Sequence, residues 1–189
     1  MLKSEARKIY RQKRISLTDK ERVKLDDLLL IQFQAVPFPF LEYLLSYWPM
    51  EENKEINTHL FTDYLEFKNP GLKVLYPKTD FEKIELKALL TNDETVFEQN
   101  QYNIYEPEDG QIIDAPEIDF IIVPMLICDR LGQQAGYGKG FYDRYLKNCR
   151  EDCIKVGLTY FEPVEKIDDT NLFDVPLNLC ITPQNVYVF

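Results

Sequence analysis

Between Leu126 and Leu146 the chain reads LICDRLGQQAGYGKGFYDRYL, with Gly136, Gly138 and Gly140 at alternate positions, Lys139 between the last two, and Asp143 three residues beyond. Glycines at this spacing let backbone N–H groups turn toward one point without obstruction from Cβ, and the free N–H groups of a helix start add a positive end. That is the chemistry of a phosphate cradle. Upstream, the β-branched apolar run Asp119–Pro124 fits a buried strand; downstream, Phe141, Tyr142, Tyr145, Leu146 and Cys149 recur at helical spacing. The order is strand, loop, glycines, helix. A Walker loop would follow Gly-Lys with Ser or Thr, whereas Gly140 and Phe141 follow Lys139. A dinucleotide fingerprint would read GxGxxG near the first strand, so nicotinamide binding is disfavoured. Spacing alone leaves two readings open, a phosphate cradle or a tight strand-to-helix connection.

A second group lies at the opposite end of the chain. Lys3, Arg7, Arg11 and Arg14 fall on one stripe of a helix, with Leu2, Ala6 and Ile9 as its apolar side. Residues 1–14 hold six cations against Glu5 alone, a net +5, which leaves −15 for the rest of a chain whose total is −10. Such a stripe could bind an anion, could be a solvated basic face, or could be a targeting helix. The overall −10 excludes general nucleic-acid binding, which needs a basic footprint to displace counterions. The four cysteines form no disulfide framework, and with no CxxC pair and His59 as the one histidine a zinc site is disfavoured. No apolar run approaches the length of a membrane helix and the N-terminus lacks an apolar signal region, so a cytoplasmic chain without membrane attachment is expected.

The elements that must hold these groups follow from periodicity and breakers. At 189 residues and 45% hydrophobic content, one domain over 1–189 is expected, with N-terminal helices at about 2–34 packed on an α/β body. A first helix spans Lys3 to about Ile15, and Thr18-Asp19-Lys20-Glu21 has the form of a capping box opening a second helix through Gln34. Glu42–Trp48 reads as a strand ended by Pro49, followed by a charged loop at Met50–Lys54 and a helix capped by Asn57 or Thr58 and stopped at Asn69-Pro70-Gly71. Strands are expected at Lys73–Tyr76, near Ile84–Leu86, and at Phe120–Val123, Ile154–Leu158, Leu177–Ile181 and Val186–Val188, while Thr91–Asn103 reads as polar. Strands alternating with helices predict a three-layer α/β/α, Rossmann-like sheet, mostly parallel with mixed edges and helices on both faces. Ligands bind such sheets at the carboxyl ends of the strands.

The chain resembles the 5-formyltetrahydrofolate cyclo-ligase family, also called methenyltetrahydrofolate synthetases, over nearly its whole length. The features that carry the likeness are Lys3-x-x-x-Arg7 in a basic helix, the segment Tyr47–Thr58 ending Glu55-Ile56-Asn57-Thr58, Val123-Pro124 followed by Asp129, and GYGKGFYDRYL with the later Asp174-Val175-Pro176. The resemblance implies an enzyme that uses ATP as co-substrate and Mg²⁺ to cyclise 5-formyltetrahydrofolate to 5,10-methenyltetrahydrofolate, releasing ADP and phosphate. It implies small-molecule substrates and a monomer, with neither nucleic acid nor membrane as partner.

Carried over by position, Lys3 and Arg7 would contact ATP phosphates, and Gln134, Ala135, Gly136, Tyr137, Gly138, Lys139, Gly140, Phe141 and Tyr142 would wrap the nucleotide. Lys139 and Asp143 would be catalytic, Lys139 as a cation beside the transferred phosphoryl group or the formyl oxygen, and Asp143 with Asp174 would hold Mg²⁺. A carboxylate beside a phosphate site makes electrostatic sense when a metal bridges the two. Trp48 and Glu55, together with Tyr137, Gly138, Lys139, Gly140 and Phe141, would receive the folate. Lys78 is either a further phosphate contact or a surface lysine, and His59 reads as a surface or capping residue. This sequence departs from the family at Phe141, where tyrosine is usual, at Met125, where glycine is common, at Gln133-Gln134-Ala135, which replaces a more basic stretch, and at Asn178, often acidic. Two other classes stay open: a non-catalytic nucleotide- or folate-binding relative, and a sugar-phosphate or acyl-transfer enzyme on a related scaffold.

Overall fold

The apolar runs that read as strands are buried on both faces, the condition of a covered parallel sheet. In the computed structural model, which describes residues 1–189, the elements run α1 (Lys3–Ile15), α2 (Asp19–Gln34), β1 (Tyr43–Leu45), α3 (Thr58–Lys68), β2 (Lys73–Asp80), β3 (Glu85–Leu90), β4 (Phe97–Gln99), β5 (Tyr105–Pro107), β6 (Ile112–Ile113), β7 (Phe120–Val123), β8 (Ile127–Cys128), β9 (Gln134–Ala135), α4 (Phe141–Leu146), β10 (Ile154–Leu158), β11 (Leu179–Ile181) and β12 (Val186–Val188). An eight-stranded sheet has the order β12, β11, β10, β7, β1, β2, β3, β6. The five strands from β11 to β2 are parallel, with Leu44 of β1 in register with Val74 and Phe120. The edges, β12 on one side and β3 with β6 on the other, are antiparallel.

Because side chains alternate along a strand, neighbouring residues feed opposite layers. Leu44, Phe120, Ile122 and Val156 join Leu29 and Phe33 of α2 and Phe61 and Leu65 of α3. Leu45, Leu75, Ile121 and Val123 join Tyr145 and Leu146 of α4 on the other face. The three-layer, mostly parallel arrangement expected from the sequence is the one observed. No helix is long and apolar enough to cross a membrane.

The first two helices form as their signals dictate. Thr18 and Glu21 complete the capping box, Glu21 Oε2 accepting from Thr18 N at 2.8 Å and Thr18 Oγ1 accepting from Glu21 N at 3.2 Å. The face that α1 buries is not the expected apolar side, however. Leu2 and Ile9 are exposed, and the buried residues are Lys3, Ala6, Tyr10 and Arg14. Ala6 and Tyr10 pack with Leu126, Ile127, Ala135 and Ile167 around the β8–β9 hairpin, while the two cations find polar partners described below.

Three further differences bear on the site. β1 is only three residues long, so Tyr47 and Trp48 leave the sheet and become free to wall a cavity. β2 runs on to Asp80 against β3, and Pro77 is tolerated there because β1 pairs with β2 only as far as Leu75. Within the stretch read as polar, β4 pairs with β5 in a separate two-stranded sheet.

Candidate active site

A cavity of about 480 Å³ opens where β1, β2 and β7 end. Tyr47 and Trp48 follow β1, Pro77 and Thr79 end β2, and Pro124 follows β7, so the wall is built at the carboxyl ends of parallel strands. The opposite wall is the glycine loop from Gln134 to Asp143, with Ala135 excepted. Lys3, Arg7 and Arg11 of α1 close one side, and Phe81 from the β2–β3 turn with Tyr102 and Ile104 from the β4–β5 connection close the other.

The glycines are required by two separate facts. Gly138 has φ +84°, a backbone conformation strained for any other residue, and a Cβ there would stand 3.0 Å from Arg7 Cζ, so the guanidinium would have to shift to admit a side chain. Gly140 has φ +77° and turns the chain into α4. With only six residues, α4 supplies little of the dipole expected of a helix start. The positive character of the wall comes from side chains: Arg7, whose Nε donates to Gly136 O at 2.9 Å, and Lys139, exposed and in no ion pair, with its ammonium 6.0 Å from the centroid of the Tyr102 ring.

The aromatic side has a layered geometry. Phe81 lies against Tyr102 with centroids 4.0 Å apart and planes tilted by 33°, and it meets Phe141 edge-on at 5.1 Å. Trp48 is half-buried and is held by His59 at 4.7 Å, Phe97 at 4.7 Å and Tyr105 at 5.4 Å, so it serves the packing as well as the cavity wall. His59 lies in this aromatic group with its Nδ1 3.5 Å from the Tyr76 hydroxyl, rather than capping α3. Burial pushes its pKa down.

Two groups of buried and half-buried polar side chains complete the site. Glu55 is 4% exposed, and its Oε2 accepts from Met50 N at 2.7 Å while its Oε1 accepts from the Tyr137 hydroxyl. Burial raises its pKa, opposed by those hydrogen bonds and by Arg14. On the other side of the glycine loop, Asp143 Oδ1 accepts from Gln134 Nε2 at 3.1 Å, and Asp174 forms an ion pair with Lys3 at 2.5 Å. Burial and then the charge of Asp174 push the Asp143 carboxyl up, while Lys3 pulls it down. The Oε1 of Gln134 is buried without a hydrogen-bond partner.

Of the residues singled out in the sequence, Lys3, Arg7, Trp48, Glu55, Gln134, Lys139, Asp143 and the run Gly136–Tyr142 line the cavity together. Ala135 does not; it packs against α1. Asp174 does not line it and is reached through Lys3. Lys78 points away, as strand alternation requires when Pro77 and Thr79 face inward, and donates to Glu108 O. Arg14, placed on the anion-binding stripe, is buried outside the cavity. The residues that sequence reading missed are chiefly Thr79, Phe81, Tyr102 and Ile104, and an aromatic pair in a segment without periodicity gave no signal.

The arrangement can hold a polyanion against arginine and lysine at one end and a flat ring system against aromatic faces at the other. Comparison with known proteins gives this chemistry a context. The model of the 5-formyltetrahydrofolate cyclo-ligase family matches residues 3–183. A 5-formyltetrahydrofolate cyclo-ligase of Haemophilus influenzae is 36% identical over 118 residues, which span 60% of this chain and 61% of that protein. One from Mycoplasma pneumoniae is 27% identical over 97% of this chain and 100% of its own. The solved structure of the Aquifex aeolicus 5,10-methenyltetrahydrofolate synthetase is 30% identical, with a TM-score of 0.81, covering 100% of this chain and 93% of that one.

Proposed function

The chain belongs to the 5-formyltetrahydrofolate cyclo-ligase family and is an enzyme of that kind, and from that premise we propose that its cavity brings ATP and 5-formyltetrahydrofolate together for ring closure. The observation that carries this reading is the single cavity that joins Arg7, Lys139 and Asp143 to Phe81, Tyr102 and Glu55 across the glycine loop. A formyl group on N5 is an amide, and its carbon is a poor electrophile. Attack of the formyl oxygen on the γ-phosphorus expels ADP and leaves an imidate-like phosphate. N10 then attacks the formyl carbon, the C–O bond breaks, phosphate departs with its electron pair, and N10 loses its proton as the methenyl bridge closes.

For phosphoryl transfer the protein mainly positions groups and neutralises charge. Arg7, fixed on Gly136 O, presents a cation to the triphosphate with little reorganisation. Lys139, with no acidic partner, is free to follow the transferred group. The tilted pair of Phe81 and Tyr102 offers aromatic surface to a planar ring, and the remaining lone pairs of Glu55 can accept N–H donors. Lys3 would exchange its bond with Asp174 for a phosphate contact.

The residues around Asp143 fit Mg²⁺. The donors are hard oxygens, the Asp143 carboxylate and the unpartnered Gln134 Oε1, with Asp174 close enough to raise the pKa of Asp143. A set this small suits an ion that takes its other ligands from phosphate oxygens and water. When bound, Mg²⁺ would neutralise charge on the triphosphate.

The test is direct: the purified chain, 5-formyltetrahydrofolate and MgATP are mixed and the methenyl chromophore is followed. Appearance of the chromophore only when ATP is present is expected, and its absence with folded protein would refute the reading.

A further inference from the structure

Arg14 is the one member of the basic stripe that faces away from the cavity, and it is 4% exposed. Burying a guanidinium is unfavourable unless its donors are met by acceptors. Here they are met by groups from two different walls of the site. Its Nε donates to Asn53 O at 2.9 Å, in the 3-10 turn Glu51–Asn53 that leads into Glu55. Its Nη2 donates to the Tyr137 hydroxyl at 2.6 Å, and that hydroxyl donates onward to Glu55 Oε1, which lies 3.9 Å from the same nitrogen. The neighbouring Arg11 reaches the same turn through Asn53 Oδ1 at 3.3 Å.

The geometry points to Arg14 as a positioning residue, which through Asn53 and the Tyr137 hydroxyl locks the Glu55 loop to the glycine loop and so sets the folate and nucleotide walls as one unit. This rests on the functional reading given above. Three consequences follow from the chemistry. A guanidinium donates to two acceptors in a fixed fork, which a lysine ammonium does not reproduce. The Tyr137 hydroxyl, donating to a carboxylate while accepting from a cation, is held in one orientation with its ring on the cavity wall. Glu55 is buried where its charge is disfavoured, and the Arg14 charge acts against that.

The test compares Arg14→Met, Arg14→Lys, Tyr137→Phe and the double variant Arg14→Met with Tyr137→Phe. Readouts are thermal melting, the separate KM and kcat for 5-formyltetrahydrofolate, and the change in folate affinity produced by Mg²⁺ with a non-hydrolysable ATP analogue. Arg14→Met and Tyr137→Phe should each raise the folate KM by roughly tenfold, the scale of one hydrogen bond to a charged group, with a smaller fall in kcat. The double variant should be little worse than either single one, because both break the same chain of bonds. Arg14→Lys should recover less than half of the loss on a logarithmic scale. The analogue's effect on folate affinity should shrink in every variant.

Where Arg14→Met fails to fold, Tyr137→Phe, which removes a single oxygen, still decides the matter. Unchanged KM in a folded Tyr137→Phe protein, or losses that simply multiply in the double variant, would overturn the positioning role. A wild-type chain that forms no methenyl chromophore would instead overturn the functional reading, and the two failures are separate.

Discussion

Asp143 carries its charge in an unfavourable place, half-buried and beside Asp174, with Lys3, the Val175 backbone N–H and Gln134 only partly offsetting it. A carboxylate held this way binds a cation more readily than it takes a hydrogen bond, so Asp143→Asn should lower turnover by on the order of a hundredfold or more, as expected for loss of a preorganised charge. A Mg²⁺ titration checks the assignment: the variant should need more metal for half-maximal rate. The pH dependence follows from the sign of the shift. Because the Asp143 pKa is raised, the proton competes with metal above the ordinary carboxylate range, and at limiting Mg²⁺ the rate should fall as pH drops through that elevated value. Saturating Mg²⁺ should move the fall to lower pH, and an acid limb indifferent to metal would assign it to another group. These residues were legible because the alternating glycines and Asp143 lie within eight positions, whereas Phe81 and Tyr102 meet only after β2 and the β4–β5 sheet have folded.

The helices contribute at the next scale, and α1 and α2 do so differently. α1 grips the glycine loop through Arg7, so Arg7→Met should raise the ATP KM about tenfold, the order of a lost charged hydrogen bond, with melting temperature nearly unchanged. A large loss of stability with normal KM would make that contact purely structural. Its periodicity and basic stripe were readable, but its buried face was not: whether Lys3 and Arg14 could be buried depended on Asp174, Tyr137 and Glu55, all distant in sequence. α2 is tied to the loop after β10 by the Tyr160 hydroxyl, which donates to Asp26 Oδ1 at 2.7 Å. Burial raises the Asp26 pKa from 3.8 to about 6. The folded chain therefore holds a proton that the unfolded chain releases between these values, so this stabilisation is complete below pH 3.8 and is lost as pH rises through about 6. At roughly 1.4 kcal/mol per unit the loss is about 3 kcal/mol. Denaturant titrations from pH 4 to 7 should show that decline in the wild type and a flatter curve for Asp26→Asn; equal slopes would remove Asp26 from the account.

At the scale of the whole molecule, the cavity draws its walls from α1, the ends of β1, β2 and β7, the segments around β4 and β5, and the glycine loop, so no single core element contains it. The sheet was legible because runs such as Phe120–Val123 are apolar on both faces, and a switch from strand to glycine loop marks where ligands go. What could not be read was that the short β4–β5 sheet brings Tyr102, Ile104 and Glu106 to the cavity wall, since three-residue strands carry no usable alternation. A site assembled in this way should link its ligands through the fold. Any ligand that binds only the native chain stabilises it by about 2.7 kcal/mol at a hundred times its dissociation constant. For a chain of 189 residues that corresponds to a rise of about 5–10 °C in melting temperature. With Mg²⁺, a non-hydrolysable ATP analogue and 5-formyltetrahydrofolate tested singly and together, the joint stabilisation should exceed the sum, because Tyr137 and Lys139 belong to both walls and each ligand orders them for the other. Hydrogen exchange should slow in 80–104 and 134–141 under the same conditions. Strictly additive stabilisation, with protection confined to one segment, would mean two independent sites rather than one meeting wall.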